Sequence, residues 1–241
     1  MSSRAKRFRD RRANVRARPP LRVGATDELA GLGRVEQLVL RGDGLTTTSL
    51  EILTGDQISV VVDGHWQIVV PSVSSDLLPG STLNFDHDGP DVDGYLAAAA
   101  THLAAEPGQT LLVREVLLVG DRDSDVTRVH GSAEVVALRD ALPDSVTTAL
   151  AATGEPIGRL LRDAGLSVVR ELRQWGHLPA GPRADRLGDG LVPASRVLGR
   201  TYVMTLDGRP IVALTERFCP HVFSSSVPAA SGSTRGRTVV P

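Results

Sequence analysis

The dipeptide Asp207-Gly208 constrains this chain more than any other feature. It separates Tyr202-Val203-Met204-Thr205-Leu206 from Pro210-Ile211-Val212, and two such residues between strand-like segments specify a tight antiparallel hairpin. Beyond the turn the residues alternate: Val212, Leu214, Glu216 and Phe218 share one face, Ile211, Ala213, Thr215 and Arg217 the other. An earlier segment, 111–119, alternates in the same way and puts Arg114 with Leu112, Val116 and Leu118. An acid and a base thus lie on the apolar sides of two strands. Charges seldom go there unless each is paired or binds something. The residues alone leave two readings open. Arg114 and Glu216 form a buried ion pair that serves only the fold, or they give an anionic substrate that must lose a proton a fixed cation and a tunable carboxylate.

The same periodicity predicts strands at 57–70, 110–120, 126–137, 167–177, 195–206 and 209–218. Apolar spacing at Leu29, Leu32, Val35, Leu38 and Val39 predicts a helix over 27–41, with Thr26 as its cap. Further helices are expected at 46–53, 95–105, 145–152 and 157–163. Six strands in a largely antiparallel order, with the helices grouped together, describe an α+β fold: a single domain on a mainly antiparallel six-stranded sheet flanked by helices. That domain is expected to span 23–223, between a basic disordered arm at 1–22 and a flexible tail at 224–241 rich in Ser, Gly and Pro. The arm holds nine basic side chains and one acid, Asp10, leaving 18 basic and 27 acidic residues elsewhere. An acidic body argues against a nucleic-acid partner.

At 241 residues and 41% hydrophobic the chain can bury one sizeable core, and with 3% aromatics that core is mostly aliphatic. No apolar run reaches bilayer-spanning length and no signal peptide is visible, so no membrane span and a cytoplasmic location are expected. The lone Cys219 excludes an intrachain disulfide and a Cys-rich zinc site. His221 is only two residues away at a strand end, too constrained to make Cys219 a nucleophile with its base. The stretch Asp86-His87-Asp88-Gly89-Pro90-Asp91-Val92-Asp93-Gly94 looks like a calcium loop, but Pro90 and Ala97 stand where ligands belong. Asp121, Asp123 and Asp125 are expected at a solvated hairpin tip. No metal-spaced histidines, Walker loop, GxGxxG or GxSxG is present, so neither metal nor cofactor is expected. In Gly154-Glu155-Pro156-Ile157-Gly158-Arg159-Leu160-Leu161, Pro156 presets a helix start and Gly158 permits close approach of a ligand to the backbone. Amides there can hold a carboxylate or hydroxyl oxygen; an ordinary loop-to-helix junction is the plainer reading.

These pieces occur in an order that resembles the chorismate lyase (4-hydroxybenzoate synthase) family. Leu112-Val113-Arg114-Glu115-Val116-Leu117-Leu118 is similar to that family's Leu-Arg-Glu strand, and Pro156-Ile157-Gly158-Arg159-Leu160-Leu161 to its Pro-Leu-Gly-Arg segment. Trp175-Gly176 sits where many members have a Trp. Gly208-Arg209-Pro210 through Leu214-Thr215-Glu216-Arg217-Phe218 resembles its Gly-Lys-Pro and Leu-Thr-Glu-Leu-Phe hairpin. Asp43 to Glu51 resembles its Thr-x-x-Leu/Phe-Glu segment. The likeness covers about residues 35–223, fits poorly over 71–107, and is closer to the mycobacterial-type branch than to the proteobacterial one. A departure lies at Ser132-Ala133-Glu134-Val135-Val136, where proteobacterial members have Gly-Arg-Thr-Val-Val; Glu134 is expected near the place of that Arg.

The resemblance implies a single antiparallel sheet with a buried pocket under mobile flaps. It also implies conversion of chorismate to 4-hydroxybenzoate and pyruvate, without metal or cofactor, as a supply of phenolic precursors. By position, Arg114 would bind a substrate carboxylate, Glu216 would contact the ring hydroxyl, and Ile157, Gly158 and Thr46 would line the pocket. The partner is then one small anionic molecule, and the protein a monomer or homodimer. Two other functions remain on the same fold. One is a related lyase, cyclase or dehydratase of specialised metabolism, with Glu134 reshaping the pocket. The other is a non-catalytic sensor like the UTRA-type ligand domains of transcription regulators, against which the missing helix-turn-helix region argues.

Overall fold

A computed structural model of the chain describes residues 31–42, 45–71, 92–122 and 126–224. The basic arm, the tail beyond Ser224, most of the calcium-like loop, Asp123, Asp125 and the start of the helix expected over 27–41 lie outside these residues. In chain order the elements are α1 (Arg34–Arg41), α2 (Thr46–Thr54), β1 (Gln57–Val69), α3 (Val92–Leu103), β2 (Thr110–Arg122) and β3 (Val126–Leu138). Then come α4 (Asp144–Ala152), α5 (Ile157–Asp163), β4 (Val169–Pro179), α6 (Ala184–Leu187), β5 (Arg196–Leu206), β6 (Arg209–Phe218) and α7 (His221–Ser224). The strands form one sheet in the order β1-β2-β3-β6-β5-β4, and every neighbouring pair is antiparallel. The expected α+β architecture is therefore the observed one. No helix among the described residues is long and apolar enough to cross a membrane.

The turn joining β5 to β6 has Asp207 at φ 50° and Gly208 at φ 78°. Two left-handed residues in a row are what a type I′ hairpin turn requires, and Asp-Gly adopts them at little strain. Pairing starts with Leu206 opposite Arg209, then shifts between Met204 and Thr205, so that Met204 faces Val212. Such a bulge adds one residue to a strand, and here it lets Ile211 and Val212 both join one apolar cluster.

Both faces of the sheet are buried, which is why β2 reads as an almost unbroken apolar run. On one face Leu112, Val116, Ala133, Val135, Tyr202, Met204 and Leu214 pack under α4 and α5 through Val146, Leu150, Ile157 and Leu161. On the other, Leu111, Val113, Val136, Val203 and Ala213 pack under α3 through Leu96, Ala99, Ala100 and Leu103. The helices are not grouped together as expected. A sheet with apolar residues of both parities leaves one side wet unless helices cover each. The charged residues divide with the same parity: Arg114 and Glu216 go under α4 and α5, Glu115, Glu134 and Arg217 under α3.

Candidate functional site

Arg114, Glu216, Ile157, Gly158 and Thr46, named from the sequence, line one cavity. Its wall includes Thr46 from the start of α2, Arg114 from β2, Pro156, Ile157 and Gly158 at the start of α5, and Glu216 from β6. Register places these groups. Arg114 sits opposite Val135, which sits opposite Leu214; Glu216 sits opposite Ala133. Arg114 and Glu216 are thus two strands apart, about 10 Å across the sheet, with long side chains entering the same space. Ala133 and Leu214 form the floor between them.

Arg114 is 1% exposed. Its Nη1 donates to the carbonyl of Glu155 at 2.8 Å and its Nη2 to that of Thr153 at 2.5 Å, while Nε is buried without a hydrogen-bond partner. Among the described residues no carboxylate forms an ion pair with it. The connection between α4 and α5 thus holds the guanidinium by main-chain oxygens alone. Burial depresses the Arg114 pKa below its ordinary value, the direction expected for a desolvated cation. His65, opposite Arg114 on β1, is pushed down by burial and then by that same charge.

Glu216 is satisfied within the protein. Its Oε2 accepts from Arg200 Nε at 2.6 Å, and its Oε1 accepts from Tyr202 at 3.3 Å and from the Thr46 hydroxyl. Arg200 spends its remaining donors nearby: Nη1 on the carbonyls of Val39 at 2.8 Å and Gly42 at 2.6 Å, Nη2 on Thr46 at 2.8 Å. Burial lowers the Arg200 pKa and the Glu216 carboxylate raises it, with a net rise. The Tyr202 phenol is raised well above its usual range by burial and by Glu216. A direct ion pair of Arg114 with Glu216, one of the two readings the sequence left open, is therefore not what forms. Arg200 stands directly across the hairpin from Glu216, and the nearer cation takes the carboxylate.

Two residues of this site went unread in the sequence. Counting back from the Asp207-Gly208 turn in strict register puts Arg200 opposite Thr215; the bulge shifts it to Glu216. A period-2 count through Arg200, Tyr202 and Met204 was the available signal. Arg170 also lines the cavity and lies with its guanidinium 5.4 Å from the Tyr202 ring centre. A side chain at Gly158 would put Cβ 2.6 Å from Arg170 Nη2. The expected close approach at Gly158 is thus made by a guanidinium of the protein itself.

Glu134 requires a correction. It does not enter this cavity, because the cavity-facing residue of that segment is Ala133. One step along a strand reverses the face, so Glu134 points under α3. There its Oε2 accepts from Arg217 Nη1. Cys219 is buried and its thiol is pushed up to about 12 by that burial, which removes thiolate chemistry. His221 turns to His130 instead, 3.1 Å away, and His130 reaches Asp56 at 2.8 Å. No group of His, Cys, Asp and Glu among the described residues is arranged to hold a metal ion.

No family model matches the chain. A curated protein, the chorismate pyruvate-lyase of Mycobacterium leprae (strain TN), is 34% identical over 118 residues, 48% of this chain and 53% of that protein. Among solved structures, PhnF from Mycobacterium smegmatis aligns with a TM-score of 0.47 at 14% identity, over 75% of this chain and 65% of that one. A GntR-family transcriptional regulator from Bacillus cereus aligns with a TM-score of 0.44 at 11% identity, over 76% and 99% respectively. The chain spans about half the length of the curated relative it matches.

Proposed function

We propose that the chain is a chorismate lyase, which converts chorismate to 4-hydroxybenzoate and pyruvate. The observation that carries this reading is the buried Arg114 cation, which faces a cavity with no carboxylate of the described residues to answer it. A desolvated guanidinium held only by carbonyls gains most from an incoming carboxylate, which it can grip with two parallel hydrogen bonds. The sequence likeness to a chorismate pyruvate-lyase supports the same choice.

In the reaction the C4–H bond and the C3–O ether bond of chorismate break. The electron pair left at C4 completes the ring, and the departing enolpyruvate takes a proton on its methylene carbon to become pyruvate. Aromatisation supplies the driving force, so the protein has chiefly to orient the ring, exclude water and hold charge. Arg114 binds the ring carboxylate. Arg170, on the same wall, is placed for the second carboxylate, a role that Ala133 cannot fill. Glu216 has about four lone-pair sites, three of them already occupied by Arg200, Tyr202 and Thr46. One site is left for the ring hydroxyl, which suits Glu216 to orient that group as well as to move a proton. The cavity measures about 60 Å³ as it stands, against about 300–1,000 Å³ for ordinary ligand pockets. Substrate admission therefore requires this cavity to widen.

The test is to incubate the purified protein with chorismate and follow pyruvate and 4-hydroxybenzoate together. Equal release of both is expected. Saturable binding without either product would replace the lyase by a sensor, and an absence of both binding and product would overturn the site.

A further inference from the structure

A second cavity lies on the opposite side of the sheet from Arg114. It is about 280 Å³, close to the lower end of the range for pockets that hold small molecules. Its roof is α3, with Ala98 exposed at the mouth and Ala99 within. Its floor is the sheet, with Val136, Ala213 and Thr215. Leu178 and the prolines around residue 180 close one side.

One polar group in this wall has an unmet need. Glu134 is 2% exposed. Its Oε2 is taken by Arg217, but its Oε1 is buried with no hydrogen-bond partner. Arg217 does not reach it: Nη1 donates to Oε2, and Nε donates to the carbonyl of Pro179 at 2.5 Å. Leaving a buried oxygen without a donor is destabilising, and most native groups of this kind have a partner. Next to it, Glu115 is fully engaged, by Tyr95 at 3.1 Å and by Arg183.

We propose that this cavity is a second binding site, for a small uncharged molecule with an apolar body and a hydroxyl group that donates to Oε1 of Glu134. The charge of the wall selects for neutrality. Arg217 offsets Glu134, and the remaining polar side chains of the lining are Tyr95, Thr201, Thr215, Gln174 and His102. Burial and the Arg173 charge lower the His102 pKa, so its imidazole is uncharged at neutral pH. An anion would meet the Glu134 carboxylate, with Arg217 already paired to that carboxylate. The alanines of α3 leave room for one ring between helix and sheet. The site is separate from the proposed lyase cavity, because the β-sheet lies between them.

Cyclohexanol and methoxycyclohexane share a ring, but only the first can donate a hydrogen bond. Calorimetric titration of the full chain should show saturable binding of cyclohexanol, with the ether at least about tenfold weaker. Ala98→Trp should plug the mouth and weaken cyclohexanol at least about tenfold while the melting temperature stays near wild type. Ala98→Leu, a smaller plug at the same exposed position, repeats the test if the Trp variant does not fold. Equal affinity for the two ligands, unchanged binding in the plugged variant, or no saturable binding of cyclohexanol would each overturn the proposal.

Discussion

Glu216 and Glu134 are both buried carboxylates beside a buried arginine, on opposite faces of one strand pair. Glu216 has a donor at both oxygens, and its partner Arg200 has every nitrogen occupied. Glu134 has a donor at one oxygen only. Arg114 is the converse, a cation that no described carboxylate answers. The comparison teaches that an ion pair is a poor guide to where a ligand goes. A saturated pair braces the fold, whereas an unmet charge or lone pair beside open space marks a place to bind.

Removing the brace should have the largest effect. Arg200→Ala leaves Glu216 buried and unpaired, and should lower unfolding free energy by about 3–5 kcal/mol in denaturant titration. A loss within about 1 kcal/mol would show that Glu216 does not depend on Arg200. Arg114→Met keeps volume but not charge, and should cut 4-hydroxybenzoate release at least about a hundredfold, as loss of a charged substrate contact does. Folding should survive, because no partner carboxylate is stranded; wild-type turnover would remove Arg114 from the site. Glu216→Gln should slow turnover at least about tenfold.

The next effect sharpens the contrast between the faces. Burial raises the Glu134 pKa above that of the unfolded chain, outweighing Arg217, which lowers it. Between the ordinary and the elevated value, the native state binds a proton more readily than the unfolded chain does. Stability contributed by Glu134 is fully present below the ordinary carboxylate range and is lost as pH rises toward the elevated value. Glu134→Gln should flatten that decline when melting temperature is followed against pH; a variant with the wild-type slope would contradict it. The smallest effect belongs to Tyr202→Phe, which deletes one hydrogen bond to Glu216 and should lower stability by about 1 kcal/mol, read by denaturant midpoint.

Much of this was legible before any coordinates. Asp207-Gly208 located the hairpin, alternation located the buried faces of β2 and β6, and Pro156 located the start of α5. What escaped has physical causes. A bulge between Met204 and Thr205 shifted Arg200 onto Glu216, and no residue in that stretch signals it. Arg170 lies on an edge strand, where charge ordinarily means solvent. Arg114 is held by main-chain oxygens of Thr153 and Glu155, and carbonyls carry no side-chain signature. Glu134 was read one position off its face, the least error a strand allows and the one that moves a side chain through the sheet.

The reach of Arg200 beyond the sheet has a consequence of its own. Its Nη1 grips the carbonyls of Val39 and Gly42 at the end of α1, so α1 hangs from the same guanidinium that touches Glu216. On the proposed reading, chemistry at the ring hydroxyl and anchorage of that helix share a single peg. Whatever tugs on the carboxylate is transmitted to the last turn of α1, where protease cleavage after Arg41 would register it.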